Sequence, residues 1–218
     1  MNYNIVERSE AVLYLIIKRI ADIILSFFGL IVLAPVFLII SLAIKIDSKG
    51  PVFFKQKRVG KGKKYFNMIK FRTMKIETPK NIPTHLLKNP EQYITRIGRF
   101  LRKNSIDELP QVWNIFVGQM SAVGPRPALW NQYDLIAERD KYGANDVLPG
   151  LTGWAQINGR DELPIEIKAK LDGEYAKRIS LLFDLKCCLK TVIRIINRDG
   201  FVEGDKSTFC KDEFFEND

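Results

Sequence analysis

The sequence is poor in the residues that usually bind metals through nitrogen or sulfur. Its 218 residues include one histidine, His85, and three cysteines, of which Cys187 and Cys188 are adjacent. This set provides no disulfide framework and no recognisable zinc site. Such cysteine usage indicates a reducing, cytosolic location for the folded part. Any bound metal is therefore expected to be a hard cation held by oxygen ligands.

Acidic residues are scarce in one long segment. From Lys45 to Lys75 there is a single acid, Asp47, among eleven lysines and arginines, and the whole chain carries a formal net charge of +9. This excess of positive charge indicates an acidic partner, which could be nucleic acid, an anionic membrane or a phosphorylated substrate. The aromatic and β-branched residues in the segment predict two short strands joined near residues 60–64.

Charge is absent altogether from residues 23–44. The run is long enough for a transmembrane helix, but Pro35 lies in its middle, where a helix loses a hydrogen bond. The halves, residues 20–34 and 35–46, would be about 22 and 18 Å long at 1.5 Å per residue, each too short to span a bilayer. Lysines and arginines flank both ends, which favours keeping both ends cytoplasmic. We expect a re-entrant helical hairpin broken at Pro35, with a kinked single span as the alternative.

The expected fold class is α+β and mostly helical. A membrane anchor (residues 1–46) precedes a cytosolic domain (47–200) with a small β-hairpin, and residues 201–218 form a tail. Apolar periodicity predicts helices near residues 94–103, 111–118, 128–142 and 179–198, with Trp113 and Phe116 in the core. The last of these has basic residues at every fourth position, which is typical of an interfacial helix or of an ordinary surface helix. These basic residues are Lys186, Lys190, Arg194 and Arg198.

Residues 102–127, RKNSIDELPQVWNIFVGQMSAVGPRP, combine acids with fixed cations. Asp107 and Glu108 follow a basic helix, and residues 124–127 place the guanidinium of Arg126 on a stiff turn. An aspartate can attack phosphorus, but it needs cations or a metal to offset the repulsion from phosphoryl oxygens. This stretch therefore predicts a site that holds or attacks a phosphate.

The same residues also fit a structural interpretation. Ser105 to Glu108 match a capping box at a helix start. With Asp107 as the N-cap instead, Pro110 falls within the tolerated first turn, and Asp107 lies at the helix end that attracts anions. The two interpretations are compatible, and the motif does not choose between them. The glycine-rich residues 148–160 give a further but weak phosphate signal.

Four blocks carry a family resemblance: the apolar run continuing into FFKQKRVG, FNMIKFRTM, SIDELPQVWNIFVGQMSAVGPRP and LPGLTGWAQINGR. Between about Lys18 and Gly200 they closely resemble the bacterial sugar transferases, also called monotopic phosphoglycosyl transferases. With no bundle of spanning helices before it, the chain resembles the small form. The resemblance implies transfer of a sugar 1-phosphate from a UDP-sugar to a polyprenyl phosphate, typically undecaprenyl phosphate, with release of UMP. It also implies a covalent phosphosugar–enzyme intermediate and Mg²⁺.

Residue by residue, the resemblance makes Asp107 the nucleophile and Glu108 its partner. These two carboxylates are also the candidate Mg²⁺ ligands. Residues expected to bind substrate phosphate are Arg102, Arg126, Pro125, Arg72 and Lys70. The family's re-entrant helix is broken at a Ser-Pro pair, where this chain has Ala34-Pro35. The implied location is the cytosolic face of the bacterial inner membrane, among anionic phospholipids.

Three other functions remain as alternatives. A membrane phosphatase or phosphodiesterase would transfer the phosphate to water without a lipid acceptor. A non-enzymatic basic adaptor would be unaffected by Asp107→Asn. A nucleic-acid-binding module would show steep salt dependence, although the adjacent membrane anchor makes it the weaker alternative. No residue identifies the sugar.

Overall fold

The computed structural model describes residues 3–78, 90–159 and 163–197. His85, Arg198 and the predicted tail lie outside these ranges. The protein is α+β and mostly helical, as predicted. Its elements are α1 (Tyr3–Asp47), β1 (Phe53–Val59), β2 (Tyr65–Phe71), α2 (Arg96–Lys103), α3 (Gln111–Phe116), β3 (Ser121–Val123), α4 (Tyr133–Asp140), β4 (Gly150–Thr152), α5 (Trp154–Ile157), α6 (Ile165–Lys177) and α7 (Leu181–Asn197).

The first helix, α1, runs without interruption through Pro35. The predicted break into two helices at this proline is therefore not observed. Proline removes one backbone N–H, but an apolar helix tolerates the loss when nearby hydroxyls and small backbone adjustments compensate. In the following turn, the Ser41 hydroxyl donates to the carbonyl of Phe37 at 2.6 Å. Any re-entry into a membrane would have to come from a bend within this single helix.

The N-terminal part of α1 is attached to the rest of the protein by polar side chains. The Arg19 guanidinium donates to the carbonyls of Ile115 and Phe116, at the end of α3, at 2.7 and 2.9 Å. The Asp22 carboxylate accepts from the backbone N–H of Ala122 in β3 at 3.0 Å. These charged side chains are used for packing against the domain, which explains their position beside an apolar run.

The C-terminal end of α1 is attached to the same body. The Asp47 carboxylate accepts from the backbone N–H of Ile97, in the first turn of α2, at 3.0 Å. Ile44 is 2% exposed and forms a core cluster with Phe71 and Leu101. Residues on both sides of the predicted boundary at 46/47 thus share one core.

The predicted β-hairpin is confirmed. β1 and β2 pair antiparallel, from Phe53 opposite Phe71 to Val59 opposite Tyr65. They are joined by a tight turn at residues 61–63, where Gly62 adopts a φ of 61°, a backbone conformation that favours glycine. Because Lys70 is near the end of β2, the hairpin carries it back toward the segment after α2.

The C-terminal half of the domain is built around a short parallel pair, β3 and β4, in which Ser121 lies opposite Gly150 and Val123 opposite Thr152. The sequence did not predict this pair, nor α6. The predicted helix over residues 128–142 is shorter, because Leu129 instead bridges to Arg58 beside the hairpin. The predicted last helix is confirmed as α7.

Large apolar side chains are exposed along α1, α3 and α7. Between Val12 and Asp47, α1 is long and apolar enough to cross a membrane. Trp113 is 48% exposed, so its predicted place in the core is wrong. α3 turns Asn114 and Ile115 inward, which leaves Trp113 and Val117 on the outer face.

Candidate active site

Asp107 and Glu108 lie on a 3₁₀ turn, Ile106–Glu108, between α2 and α3. Ser105 has a φ of 55° and its side chain makes no capping hydrogen bond, so the capping-box interpretation is wrong. Pro110, rather than Asp107, is the residue directly before α3. A proline fits there because a helix start does not use its own first N–H groups. The acidic pair therefore lies on a turn of its own.

Glu108 is held by two cations from distant parts of the chain. Its Oε1 accepts a hydrogen bond from Lys70 Nζ at 2.6 Å and another from Arg126 Nη2 at 2.9 Å. Burial alone would raise the pKa of Glu108, but Arg126 and Lys70 outweigh it and hold that pKa well below its usual range. Glu108 is therefore ionised and fixed in orientation.

Asp107 is in the opposite situation. No residue in the described part of the chain donates a hydrogen bond to its carboxylate. Burial raises its pKa above the usual aspartate range, and the negative charge of Glu108 adds to the rise. Lys70, Arg102 and Arg126 act against the rise. The carboxylate is thus surrounded by positive charge without being bound to any of it, which leaves it available to a ligand.

The turn at residues 124–127 presents Arg126 to this pair. Five of the six carbonyls from Val123 to Ala128 are each bound by a different partner. Val123 O accepts from Tyr175 OH, Pro125 O from Gly150 N, Arg126 O from Arg139 Nη2, Pro127 O from Arg58 Nη1 and Ala128 O from Val59 N, each at 2.9 Å. Pro125 is buried and contributes through its carbonyl and its stiffness.

The glycines of residues 148–159 bring one backbone close to another. A side-chain carbon on Gly150 would lie 2.1 Å from the nitrogen of Gly124, and one on Gly153 would lie 2.0 Å from the Gly124 oxygen. This contact against the turn accounts for both glycines without a bound phosphate.

Arg102 and Arg72, both predicted phosphate ligands, lie in different settings. Arg102 lies in the last turn of α2 and is close enough to Asp107 to lower its pKa. Arg72 is 5% exposed and its guanidinium closes the end of α1, donating to Lys49 O and Ser48 O at 2.7 Å each and to Ser48 Oγ at 2.8 Å. The structure therefore joins Lys70, Arg126 and Arg102 to the acidic pair and gives Arg72 a structural set of contacts.

The donor set limits how a metal could bind. Among the residues that the structure describes, no three carboxylate, histidine or cysteine side chains are grouped to hold an ion. Asp107 and Glu108 are adjacent, and the carboxylate of Asp107 accepts no hydrogen bond from the part of the chain that the structure describes. Mg²⁺ commonly uses one or two carboxylates and completes its shell with substrate phosphates and water. The pair fits an ion that arrives with a diphosphate, rather than one held by the protein alone.

The sequence analysis missed a buried ion pair between α4 and α6. Arg139 on α4 is 4% exposed and donates to Asp172 on α6, which is 1% exposed. The sequence did contain a signal for this pair. Ala169, Asp172 and Tyr175 are spaced three residues apart, which puts Asp172 on the same helix face as two buried side chains.

Residues 13–198 match the bacterial sugar transferase family, and the chain belongs to that family. The UDP-glucose:undecaprenyl-phosphate glucose-1-phosphate transferase of Escherichia coli K12 is 40% identical over 195 residues, covering 86% of this chain and 40% of the relative. An uncharacterized sugar transferase of Bacillus subtilis 168 is 38% identical over 194 residues, covering 89% and 94%. A UDP-N-acetylgalactosamine-undecaprenyl-phosphate N-acetylgalactosaminephosphotransferase of Aeromonas hydrophila is 35% identical over 194 residues, covering 86% and 45%. The chain thus spans about 40% of the length of the E. coli glucose-1-phosphate transferase.

Proposed function

We propose that this protein is a phosphoglycosyl transferase that moves a sugar 1-phosphate from a UDP-sugar to membrane-bound undecaprenyl phosphate and releases UMP, the first membrane step of glycoconjugate assembly. The observation that carries the proposal is the contrast between the two carboxylates. Glu108 is bound by two cations, whereas Asp107 lies among the same cations and accepts a hydrogen bond from none of the described residues. The printed activities of the E. coli and Aeromonas relatives support the same reaction class. They name different sugars, so the donor stays open.

In the proposed reaction, a carboxylate oxygen of Asp107 attacks the phosphorus that bears the sugar. The bridging P–O bond of the diphosphate breaks and its electron pair leaves with UMP, which gives an aspartyl-phosphosugar. A phosphate oxygen of the lipid acceptor then attacks the same phosphorus and releases the Asp107 carboxylate. Lys70 and Arg126, held by Glu108, would offset the negative charge on the phosphoryl oxygens, which is the main requirement of such a transfer.

We also propose that Mg²⁺ binds with the donor. The residues that would hold it are Asp107 and Glu108 together with the donor's diphosphate, and the ion would neutralise phosphate charge. The chain's own cations would share this task, and the contacts of Lys70 and Arg126 with Glu108 support that role. A titration of donor binding with and without Mg²⁺, in the parent and in Glu108→Gln, measures the ion's share.

We further propose that α1 is embedded in the cytoplasmic leaflet and does not cross the bilayer. The uncharged stretch of α1, residues 23–44, is flanked on both sides by contacts with one body, through Arg19 and Asp22 before it and Asp47 after it. A helix that crossed would put one of these ends on the far side, away from the domain. Cysteines in place of Ser9 and Lys45 should both react with an impermeant maleimide from the cytoplasmic side, and reaction of either from the periplasmic side would contradict the proposal.

A panel of UDP-sugars with undecaprenyl phosphate and Mg²⁺, scored by UMP release and by mass spectrometry of the quenched protein, tests the reaction. We expect an adduct on Asp107 with one donor, its loss in Asp107→Asn, and no effect of Asp134→Asn, a matched change at an exposed aspartate. Multiple turnovers without the lipid would instead indicate a phosphodiesterase. Absence of UMP release with every donor, while Asp107→Asn leaves cellular function intact, would indicate a non-enzymatic adaptor.

A further inference from the structure

The guanidinium of Arg126 faces Glu108, while its backbone is held from behind by a second arginine. Arg139 Nη2 donates to the carbonyl oxygen of Arg126 at 2.9 Å. The same guanidinium is fixed by Asp172, whose Oδ2 accepts from Arg139 Nε at 2.9 Å and from Nη2 at 2.5 Å. The chain of contacts runs from α6 through α4 to the turn and then to the acidic pair.

Burying this ion pair costs desolvation free energy that apolar packing between the two helices would not. Arg139 is 4% exposed and Asp172 is 1% exposed, and burial raises the pKa of Asp172 despite the neighbouring guanidinium. Buried ion pairs are often no more stabilising than well-packed apolar residues of similar size. Packing of α4 on α6 would therefore be achieved equally well without charge. What apolar side chains could not supply is the hydrogen bond to the Arg126 carbonyl.

We propose that Arg139 and Asp172 are positioning residues for Arg126. Binding the carbonyl fixes the backbone of Arg126, and with it the direction in which the guanidinium leaves the turn. Small displacements of a charge-stabilising group are costly for a reaction that depends on positioning. The inference rests on the proposed function in one respect, that Arg126 binds the phosphoryl group during transfer.

The test removes the pair without leaving a lone buried charge. In the double variant Arg139→Met/Asp172→Leu, apolar side chains fill the space, and the unfolding midpoint should stay within a few degrees of the parent. We expect kcat/KM to fall about 10- to 100-fold. Arg126→Met should cause at least an equal loss. As a control, Lys63→Met/Asp140→Asn removes an exposed ion pair that also involves α4, and should leave kcat/KM unchanged.

Combining the variants separates positioning from a general structural role. If the pair acts through Arg126, adding Arg139→Met/Asp172→Leu to Arg126→Met should cause no further loss of kcat/KM. The guanidinium that the pair positions is already absent from Arg126→Met. A structural role would multiply the two losses, and that outcome would overturn the inference.

A substrate-free measurement keeps this inference distinct from the proposed function. Hydrogen exchange at the backbone N–H groups of Gly124, Arg126, Ala128 and Leu129 should become faster in the Arg139→Met/Asp172→Leu protein. It should stay at the parent rate in Arg126→Met, whose backbone partners remain. Unchanged exchange in the first protein would overturn the positioning role. If instead the parent transfers no sugar phosphate with any donor, the proposed function fails, while the exchange result still decides whether the pair holds the turn.

Discussion

The two adjacent carboxylates should respond in opposite ways to neutralisation. Glu108→Gln removes the charge that Lys70 and Arg126 share, whereas Asp107→Asn removes a charge to which no described residue donates a hydrogen bond. We therefore expect Glu108→Gln to lower the stability of the protein and Asp107→Asn to abolish the aspartyl adduct at little cost in stability.

The size of the first effect follows from the contacts. A hydrogen bond to a charged group contributes about 1.5–3 kcal/mol, and glutamine keeps one neutral acceptor at the same place. The side chains of Lys70, Arg126 and Glu108 are 16–25% exposed, which moderates the loss. We expect the free energy of unfolding to fall by about 2 kcal/mol, which lowers the unfolding midpoint by about 4–8 °C for a chain of this length.

The sign of the pH dependence follows from the pKa of Glu108. Because that pKa is held well below its usual range, Glu108 stabilises the folded protein above the pKa of an unfolded glutamate, and the contribution is lost as the pH falls through the folded value. The difference between the parent and Glu108→Gln should therefore be full at neutral pH and shrink in acid.

Asp107→Asn should leave the midpoint unchanged or slightly higher. Burial raises the pKa of Asp107, so the ionised side chain is less favourable in the folded protein than in the unfolded chain. Thermal unfolding in lipid nanodiscs, with adduct detection by mass spectrometry on the same samples, measures both effects. Equal destabilisation by the two substitutions, or an adduct that persists in Asp107→Asn, would refute the distinction between the two carboxylates.

Three further outcomes are expected. Lys70→Met removes a charge that lowers the pKa of Asp107, so the acidic limb of the pH–rate profile should move to higher pH while the alkaline limb stays in place. Lys57→Met, on the exposed side of the hairpin, is the control. Arg72→Met should lower the free energy of unfolding by about 2–4 kcal/mol, because three hydrogen bonds at the end of α1 are lost. A fall in kcat/KM at unchanged stability would instead support its predicted phosphate contact. If the outer face of α3 contacts lipid, Trp113→Asp should reduce the membrane-bound fraction in flotation assays, since this exposed ring lies beside other outward apolar side chains. Undiminished binding would contradict that orientation of α3.

Local patterns were sufficient to predict several elements. The glycines near residues 60–62 placed the hairpin turn correctly, and the spacing of Ile97, Phe100 and Leu101 predicted α2. The acidic pair was singled out because acids beside several arginines suit a site that holds or attacks a phosphate. Each of these signals lies within about ten residues of the feature it predicts.

Only part of the candidate site could be assembled from such patterns, which grouped Arg126 with the acidic pair but did not place Lys70 beside it. Lys70 and Arg126 reach Glu108 from 38 and 18 residues away, and that meeting depends on how the hairpin and the turn pack. Arg72, two residues from Lys70, belongs to the end of α1 instead. Charge alone did not separate these two cations, because strand direction and burial decide which one reaches the acidic pair.

The sharing of one core between α1 and the domain has a practical consequence. Ile44 packs with Phe71 and Leu101, and Phe37 and Ile40 lie against the same cluster. A shortened chain beginning at residue 47 would therefore expose apolar surface that the intact protein covers. It would also lose the helix that holds Asp47 in position to bind the N–H of Ile97. Solubilising this protein for biochemical work is better attempted by replacing outward-facing side chains of the first helix, such as Leu25, Val32 and Ile39, than by deleting it.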